Sequence, residues 1–312
     1  MIDKKSKIFV AGHNGLVGSA IVRKLEEKGY KNIITVEKSK LDLTNQLKVF
    51  DFLKKKKPKF IFIAAAKVGG IYSNNKFRAE FIYSNLSIQN NIINAAYNCN
   101  IRDLVFLGSS CVYPKLCKQP IKEEYLLNGV LEKTNEPYAI AKIAGIKMCE
   151  SYNFQYGTNY KCLMPTNTFG PNDNYDSLNS HFFPSLIKKI HTMKKNKRNI
   201  LTLWGDGSPK RELIFVDDLA EACVFFMNKR IKESLVNIGT GKDFTIKQYA
   251  KLLLKIINPG KKIKIKFDKT KPNGTPRKVL NTNLAKKYGW VAKTDIKKAI
   301  EITYKDFLGK SS

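Results

Sequence analysis

In the stretch "NEPYAIAK", Tyr138 and Lys142 stand four residues apart in a segment of helical periodicity, so both project from one face. A phenol with its ordinary pKa of about 10 is a poor acid–base group at neutral pH. An ammonium alongside lowers that pKa and can also hold a cofactor ribose. A hydroxyl from the end of a facing strand would complete a grip on a substrate carbonyl, at the oxygen where charge develops. Ser109, with Ser110 next to it, stands where the apolar run "DLVFL" ends. The three groups together read as carbonyl chemistry. Cys111 directly behind them is less easily read, because a free cysteine is more often a small buried hydrophobe than a reagent.

Tyr-x-x-x-Lys alone is a chance pattern in many helices, and its weight comes from the elements that would position it. "VAGHNGLVG" puts Gly12, Gly15 and Gly18 between an apolar strand and an amphipathic helix. That context suits a dinucleotide pyrophosphate, which needs a tight turn, close backbone approach and a helix N-terminus facing the anion. The second strand ends in "VEKSKLDL". Glu37 is placed to bond an adenosine ribose diol, which favours NAD, whereas Lys38 is placed to meet a 2′-phosphate. The two point in opposite directions. Asp42 reads equally as a residue near the adenine or as a helix cap.

Short apolar runs alternate with helical patterns through the first half, which predicts βαβ units and a parallel sheet. The strands are expected over 7–12, 32–37, 59–66, 103–110 and 159–165, and helices over 16–29, 80–99 and 138–157. Beyond residue 166 the pattern changes. "HFFPSLIKKIHTMKK" reads as a helix, in which His181 beside Ser180 could serve as the cap. "ILTLWGDGSPKRELIF" reads as a hairpin, and "KKIKIKF" as a strand. "VDDLAEACVFFM" and "LVNIGT" look like a return to the nucleotide domain. The expected fold is α/β, a Rossmann-type doubly wound parallel sheet with a smaller C-terminal α/β substrate lobe. A cofactor domain would span 1–165, with returning segments near 214–240. The substrate lobe would take 166–213 and 241–312.

The formal net charge is +30, from 56 Lys and Arg against 26 Asp and Glu. Such a chain attracts polyanions, but the lysines are scattered among asparagines and never interleave with aromatics as a nucleic-acid motif would. They read as a solvated surface that steers anionic ligands inward, with no specific nucleic-acid partner. The six cysteines show neither C-x-x-C nor metal-ligand spacing, so no metal is expected. Free thiols and a strand pattern starting at residue 7, with no signal peptide before it, point to the cytoplasm. The longest apolar run, "KFIFIAAA", is far too short to cross a membrane.

The ordered set of glycine loop, Ser109, Tyr138 and Lys142 resembles the extended, sugar-nucleotide-modifying branch of the short-chain dehydrogenase/reductase superfamily. "GHNGLVGSAI", "AAAKVGGI", "FLGSSCVYPK", "TNEPYAIAKIAGIK", "MPTNTFGPNDN", "NSHFFP", "NGTPRK" and "VDDLA" are similar to the GDP-L-fucose synthase family over nearly the whole chain. The resemblance implies conversion of GDP-4-keto-6-deoxy-D-mannose to GDP-L-fucose, by 3,5-epimerisation and NADPH-dependent reduction of the 4-ketone. It implies that Cys111 and His181 are the acid/base pair of the epimerisation, with Cys111 able to act as thiolate base. For the cofactor it implies Gly12, Asn14, Gly15, Leu16, Val17, Gly18, Glu37, Lys38 and Asp42 on the adenosine side. On the nicotinamide side it implies Leu107, Gly108, Ser109, Ser110, Tyr138, Lys142, Pro165, Thr166, Asn167, Thr168 and His181.

Asn14 and Lys38 stand where that family carries arginines, so a weakened NADPH preference is expected. Lys189, Trp204, Arg211, Asn273 and Lys278 match positions that hold the GDP portion, with Lys189 replacing arginine and Asn273 replacing aspartate. A homodimer through the helices near 80–99 and 138–157 is also implied. A cofactor-recycling 4-epimerase or 4,6-dehydratase could share Ser109, Tyr138 and Lys142 but has no need of Cys111 with His181. Dehydratases also tend to carry an Asp–Glu pair beside the serine, which "SSCVYP" lacks. A non-enzymatic nucleotide sensor or nucleic-acid binder fits poorly with an intact Ser–Tyr–Lys set.

Overall fold

The computed structural model describes residues 2–176, 180–270 and 273–311. Asn179 of the "NSHFFP" motif, with Lys271 and Pro272 before "NGTPRK", lies outside the described residues. Strands β1 (Ile8–Ala11), β2 (Ile33–Ile34), β3 (Phe60–Ile63), β4 (Asp103–Leu107) and β5 (Asn159–Pro165) are the five expected parallel strands. Further along come β6 (Asn167–Phe169), β7 (Ile200–Trp204), β8 (Lys210–Phe215) and β9 (Leu235–Ile238). The last are β10 (Asp243–Thr245), β11 (Lys264–Asp268) and β12 (Arg277–Lys278).

The main sheet runs β2-β1-β3-β4-β5-β9, parallel throughout. Strands β1, β3 and β9 are buried at every position, because helices cover both faces and leave no side polar. The helices Gln46–Lys56, Arg78–Asn98 and Glu136–Tyr156 pack on one face through Val49, Leu53, Ile92, Ile93 and Ile146. Leu16–Glu27 and Val216–Met227 pack on the other through Ile21, Leu25, Leu219 and Phe226. The return of "VDDLA" and "LVNIGT" to this sheet is thus observed. Helix Leu16–Glu27 ends ahead of Gly29, whose φ of +80° gives the left-handed turn that stops it.

Two expectations need correction. β2 is only two residues long, because it is an edge strand held by β1 alone. The segment 200–215 is not a hairpin: β7 pairs in parallel with β11, while β8 pairs with β10, β12 and β6. Leu201 and Leu203 of β7 and Leu213 and Phe215 of β8 enter a shared third core with Phe183, Ile187, Tyr249 and Leu253. Each strand reaches that core beside a distant partner, so the turn between them leaves the two apart. Turn residues such as "GDGSP" mark a change of direction but do not choose the partner.

Candidate active site

The glycine loop has the shape a dinucleotide needs. Gly12 has φ +87°, and a Cβ there would come within 2.7 Å of the Ala65 backbone. A Cβ at Gly18 would lie 2.0 Å from the Gly12 carbonyl oxygen. Strand, turn and helix therefore pack closer than any side chain allows. Gly15, at the helix N-cap, meets nothing nearer than 3.5 Å, and no side chain caps the helix. That end is left open to a pyrophosphate reaching Leu16 and Val17. Gly108 is equally crowded, against the Met164 side chain, which brings Leu107 and Ser109 close to β5. The residues present fit a nicotinamide dinucleotide.

At the adenosine end Asn14 Nδ2 donates to Glu37 Oε2 at 2.7 Å, and His13 Nε2 lies 3.4 Å from Glu37 Oε1. Asn14 holds the Glu37 carboxyl below its usual range, with a smaller contribution from His13. Lys38 is exposed beside it. His13 was not singled out from the sequence; its place inside the glycine loop, opposite the second strand, is the signal that could have found it. Asp42 Oδ1 accepts from the Thr44 amide at 2.9 Å and hydroxyl at 2.8 Å. The helix cap is instead Asn45, which accepts from the Lys48 amide.

At the reacting end, Ser109 is extended, with its hydroxyl accepting from the Cys111 amide at 3.4 Å where a 3₁₀ turn begins. Cys111 is buried and lies within electrostatic reach of Lys278, Lys142 and Tyr138. Lys278 in turn acts on His181. Six of the predicted groups, Ser109, Cys111, Tyr138, Lys142, His181 and Lys278, are thus linked through Cys111 and Lys278. Burial pushes the Cys111 thiol up, more strongly than Lys278, Ser109 and Lys142 pull it down. His181 is an exposed residue, yet the protein packed about its ring, aided by Lys278, pushes its pKa down. The resting pair is a thiol and a neutral imidazole, so the thiolate expected from nearby lysines is not the resting form. His181 starts helix Phe182–Lys195 by its backbone, and its ring makes no capping bond.

Burial also raises Tyr138, with Cys111 adding to it, so the phenol rests protonated and can give a proton. Lys142 does not offset this. Its Nζ donates to the Leu107 carbonyl at 2.8 Å and lies 5.8 Å from the Tyr138 ring centre. A buried ammonium takes the nearest acceptor, and that is the strand end. Burial pushes Lys142 down to about 8, against the opposing pull of Cys111 and Cys162.

A basic group that holds its proton less well folded than unfolded makes stability rise with pH, here between about 8 and the unfolded value of about 10.4. Lys142→Met should therefore stabilise the ligand-free protein at pH 7 by about 1–2 kcal/mol, net of the lost Leu107 bond. That advantage should vanish by about pH 10, where the wild-type amine is neutral. Urea unfolding at the two pH values reads this directly, and a variant less stable than wild type at pH 7 would refute it.

The GDP candidates gather on the second lobe. Arg211 on β8 and Lys278 on β12 are register partners. Arg211 donates to the Thr275 carbonyl at 2.6 Å, and Asn273 Oδ1 accepts from the Asp206 amide at 2.8 Å. Lys189 donates to the Thr202 carbonyl, two residues from Trp204, which is 67% exposed. Thr166 and Asn167 both donate to the Glu212 carbonyl and Thr168 donates to that of Thr166, with Pro165 ending β5 beside them. Asn85, also missed, pins the 64–70 loop by accepting from the Lys67 amide at 2.8 Å and donating to its carbonyl at 3.0 Å. An asparagine among the apolar positions of a long helix is the signal for it.

The model of the NAD dependent epimerase/dehydratase family matches residues 8–239. A putative GDP-L-fucose synthase 2 of Arabidopsis thaliana is 49% identical over 308 residues, spanning 99% of this chain and 93% of that one. GDP-L-fucose synthase of Escherichia coli (strain K12) is 44% identical over 313 residues, covering 97% of each. Among solved structures, a GDP-mannoheptose C4 reductase from Campylobacter jejuni with NADP bound superposes with a TM-score of 0.89 at 35% identity, over 99% of this chain and all of that one. The chain belongs to the NAD dependent epimerase/dehydratase family of the extended short-chain dehydrogenases/reductases, and within it to the GDP-L-fucose synthases.

Proposed function

We propose that this chain converts GDP-4-keto-6-deoxy-D-mannose to GDP-L-fucose, epimerising carbons 3 and 5 and reducing the 4-ketone with NADPH. The observation that carries this reading is that Cys111, beside the end of β4, is within electrostatic reach of Tyr138, Lys142 and Lys278, and that Lys278 also acts on His181. The carbons to be inverted flank the ketone, so each proton removed leaves an enolate whose oxygen needs donors. Ser109 and Tyr138 supply them. His181, resting neutral, can take a proton from one face, and Cys111, resting as the thiol, can return one to the other. Lys278 and Lys142 stand ready to steady the thiolate left behind. A bound dihydronicotinamide supplies the hydride to carbon 4, and Tyr138 gives the oxygen its proton.

The cofactor side is proposed to use the glycine loop with Leu16 and Val17, the 107–110 strand end and the 165–168 segment. Residues 1–165 with 214–240 would form the cofactor domain, and 166–213 with 241–312 the substrate lobe. For NADPH, Lys38 is the residue that favours the 2′-phosphate, and Glu37, tied to Asn14, opposes it. Discrimination over NADH is therefore expected to be modest. A simple C4 reductase is the second reading, favoured by the NADP-bound reductase neighbour. Cys111 and His181, each within electrostatic reach of Lys278, favour the bifunctional enzyme.

Incubation with the keto sugar and either cofactor, following absorbance and product by chromatography, tests both points. GDP-L-fucose formed with NADPH oxidation is the expected result. Sound cofactor binding without oxidation would overturn the reading. Homodimerisation is proposed through helices Arg78–Asn98 and Glu136–Tyr156, which leave Tyr83, Ile140 and Phe154 exposed at 69%, 43% and 96%. Light scattering reads the mass.

A further inference from the structure

Glu212 interrupts the apolar end of β8 with a carboxylate that has no exposed surface. A buried carboxylate is costly unless every lone pair finds a donor. Here the donors are amides and a hydroxyl rather than a cation. Oε1 accepts from the Gly241 amide at 2.7 Å and the Thr240 hydroxyl at 3.3 Å, and Oε2 from the Leu280 amide at 2.7 Å. The Glu212 backbone carbonyl accepts from Thr166 and Asn167 at 3.2 and 3.3 Å. Gly239 is shaped for this approach, since a Cβ there would stand 2.3 Å from Oε1. One residue thus ties together the loop after β9, the segment after β12 and the segment after β5.

Its neighbours give this junction a consequence. Arg211 precedes it on β8, and Lys278 pairs with Arg211 from β12, a strand only two residues long. So short a pairing does little to hold its own register. Leu280, two residues beyond Lys278, is where Glu212 fastens that strand. On its other side the same segment docks on 119–121: the Ile121 amide donates to the Val279 carbonyl at 2.8 Å, and the Asn281 amide to that of Ile121 at 2.7 Å.

We propose that Glu212 is a positioning residue that sets the spacing of Arg211 and Lys278, and through it the affinity for the diphosphate of the sugar nucleotide. This rests on the GDP-sugar reading above. The carboxylate touches neither substrate nor cofactor; it acts through the two cations. Burial raises its pKa, against the pull of the Leu280 and Gly241 amides and of Thr240.

Glu212→Gln is the test, because its amide nitrogen must face either the Leu280 or the Gly241 donor and leave it unmatched. The probes are GDP alone by calorimetry, NADPH by fluorescence titration, and steady-state kinetics on the keto sugar. GDP affinity should weaken, and KM for the keto sugar rise, by about 5- to 50-fold, the scale of one buried donor left unpaired. NADPH affinity should hold within about twofold and kcat within about threefold, the signature of lost uniform binding. Glu212→Asp keeps the charge but withdraws it by one methylene, and should show the same split if the Gln variant does not fold. GDP binding as tight as wild type, or parallel loss of GDP and NADPH affinity, would overturn the proposal. Wild-type protein that bound NADPH but not GDP would overturn the GDP-sugar reading instead.

Discussion

Tyr138→Phe should lower kcat/KM for the keto sugar by about 10²–10⁴-fold while leaving NADPH affinity and the melting temperature near their wild-type values. The change removes only the hydroxyl, and the ring stays in place beside Lys142. Burial and the nearby thiol keep the phenol protonated well above neutral pH. In the proposed reaction it therefore carries the proton that the reduced oxygen must receive. Without that proton, hydride transfer would leave an alkoxide in a buried site, and only Ser109 would remain to meet it. Loss should fall on kcat rather than on KM, because the hydrogen bond strengthens as charge builds on the oxygen. Normal turnover by the Phe variant would show that another group donates the proton.

The second large effect concerns the thiol. Cys111→Ser is nearly isosteric, but a hydroxyl holds its proton far more tightly than a thiol and cannot shuttle it at neutral pH. Deuterium incorporation from solvent at carbons 3 and 5 should fall by about 10²-fold or more. Cofactor binding should be little changed, since Cys111 is not among the residues proposed to hold the cofactor and the substitution is nearly isosteric. Residual NADPH oxidation without exchange would separate reduction from epimerisation, as a C4 reductase lacking the pair would behave. Unchanged deuterium uptake at both carbons would mean that Cys111 is only a packing residue. The buried position and the surrounding lysines argue otherwise, because a lone hydrophobe gains nothing from three polar neighbours able to stabilise its ionised form.

These two experiments bear on groups that different elements supply. Tyr138 comes from the helix that packs under β4 and β5, Cys111 from the turn that ends β4, and His181 from the start of a helix in the other lobe. Lys278 bridges the lobes electrostatically, acting on both Cys111 and His181. A single lysine near both members raises the cost of protonating His181 and lowers that of ionising Cys111. In the proposed reaction a proton taken by His181 and one given by Cys111 leave the pair's net charge unchanged, and Lys278 offsets the thiolate.

Much of this was legible along the chain. Buried parallel strands must be short and apolar throughout, so β1, β3, β4 and β5 stood out from their composition alone. Gly12 and Gly18 were readable because no other residue survives 2.7 or 2.0 Å from backbone. Tyr138 and Lys142 share a face because a helix repeats every 3.6 residues. All of these are consequences of local geometry, and local geometry is written in spacing.

Only the tertiary structure decided the rest. It separated β7 from β8, because strand partners are chosen by the core they jointly cover. It gave the helix cap to Asn45 rather than Asp42, and it bound Glu37 to Asn14 and His13 of the glycine loop. It also left Cys111 a thiol where the family resemblance implied a thiolate base, since burial depends on everything packed around a group and not on its sequence neighbours. Glu212 is the clearest case. An acidic residue inside "RELIF" reads as an exposed charge or a flaw until the amides of Gly241 and Leu280, 29 and 68 residues away, are seen to converge on it.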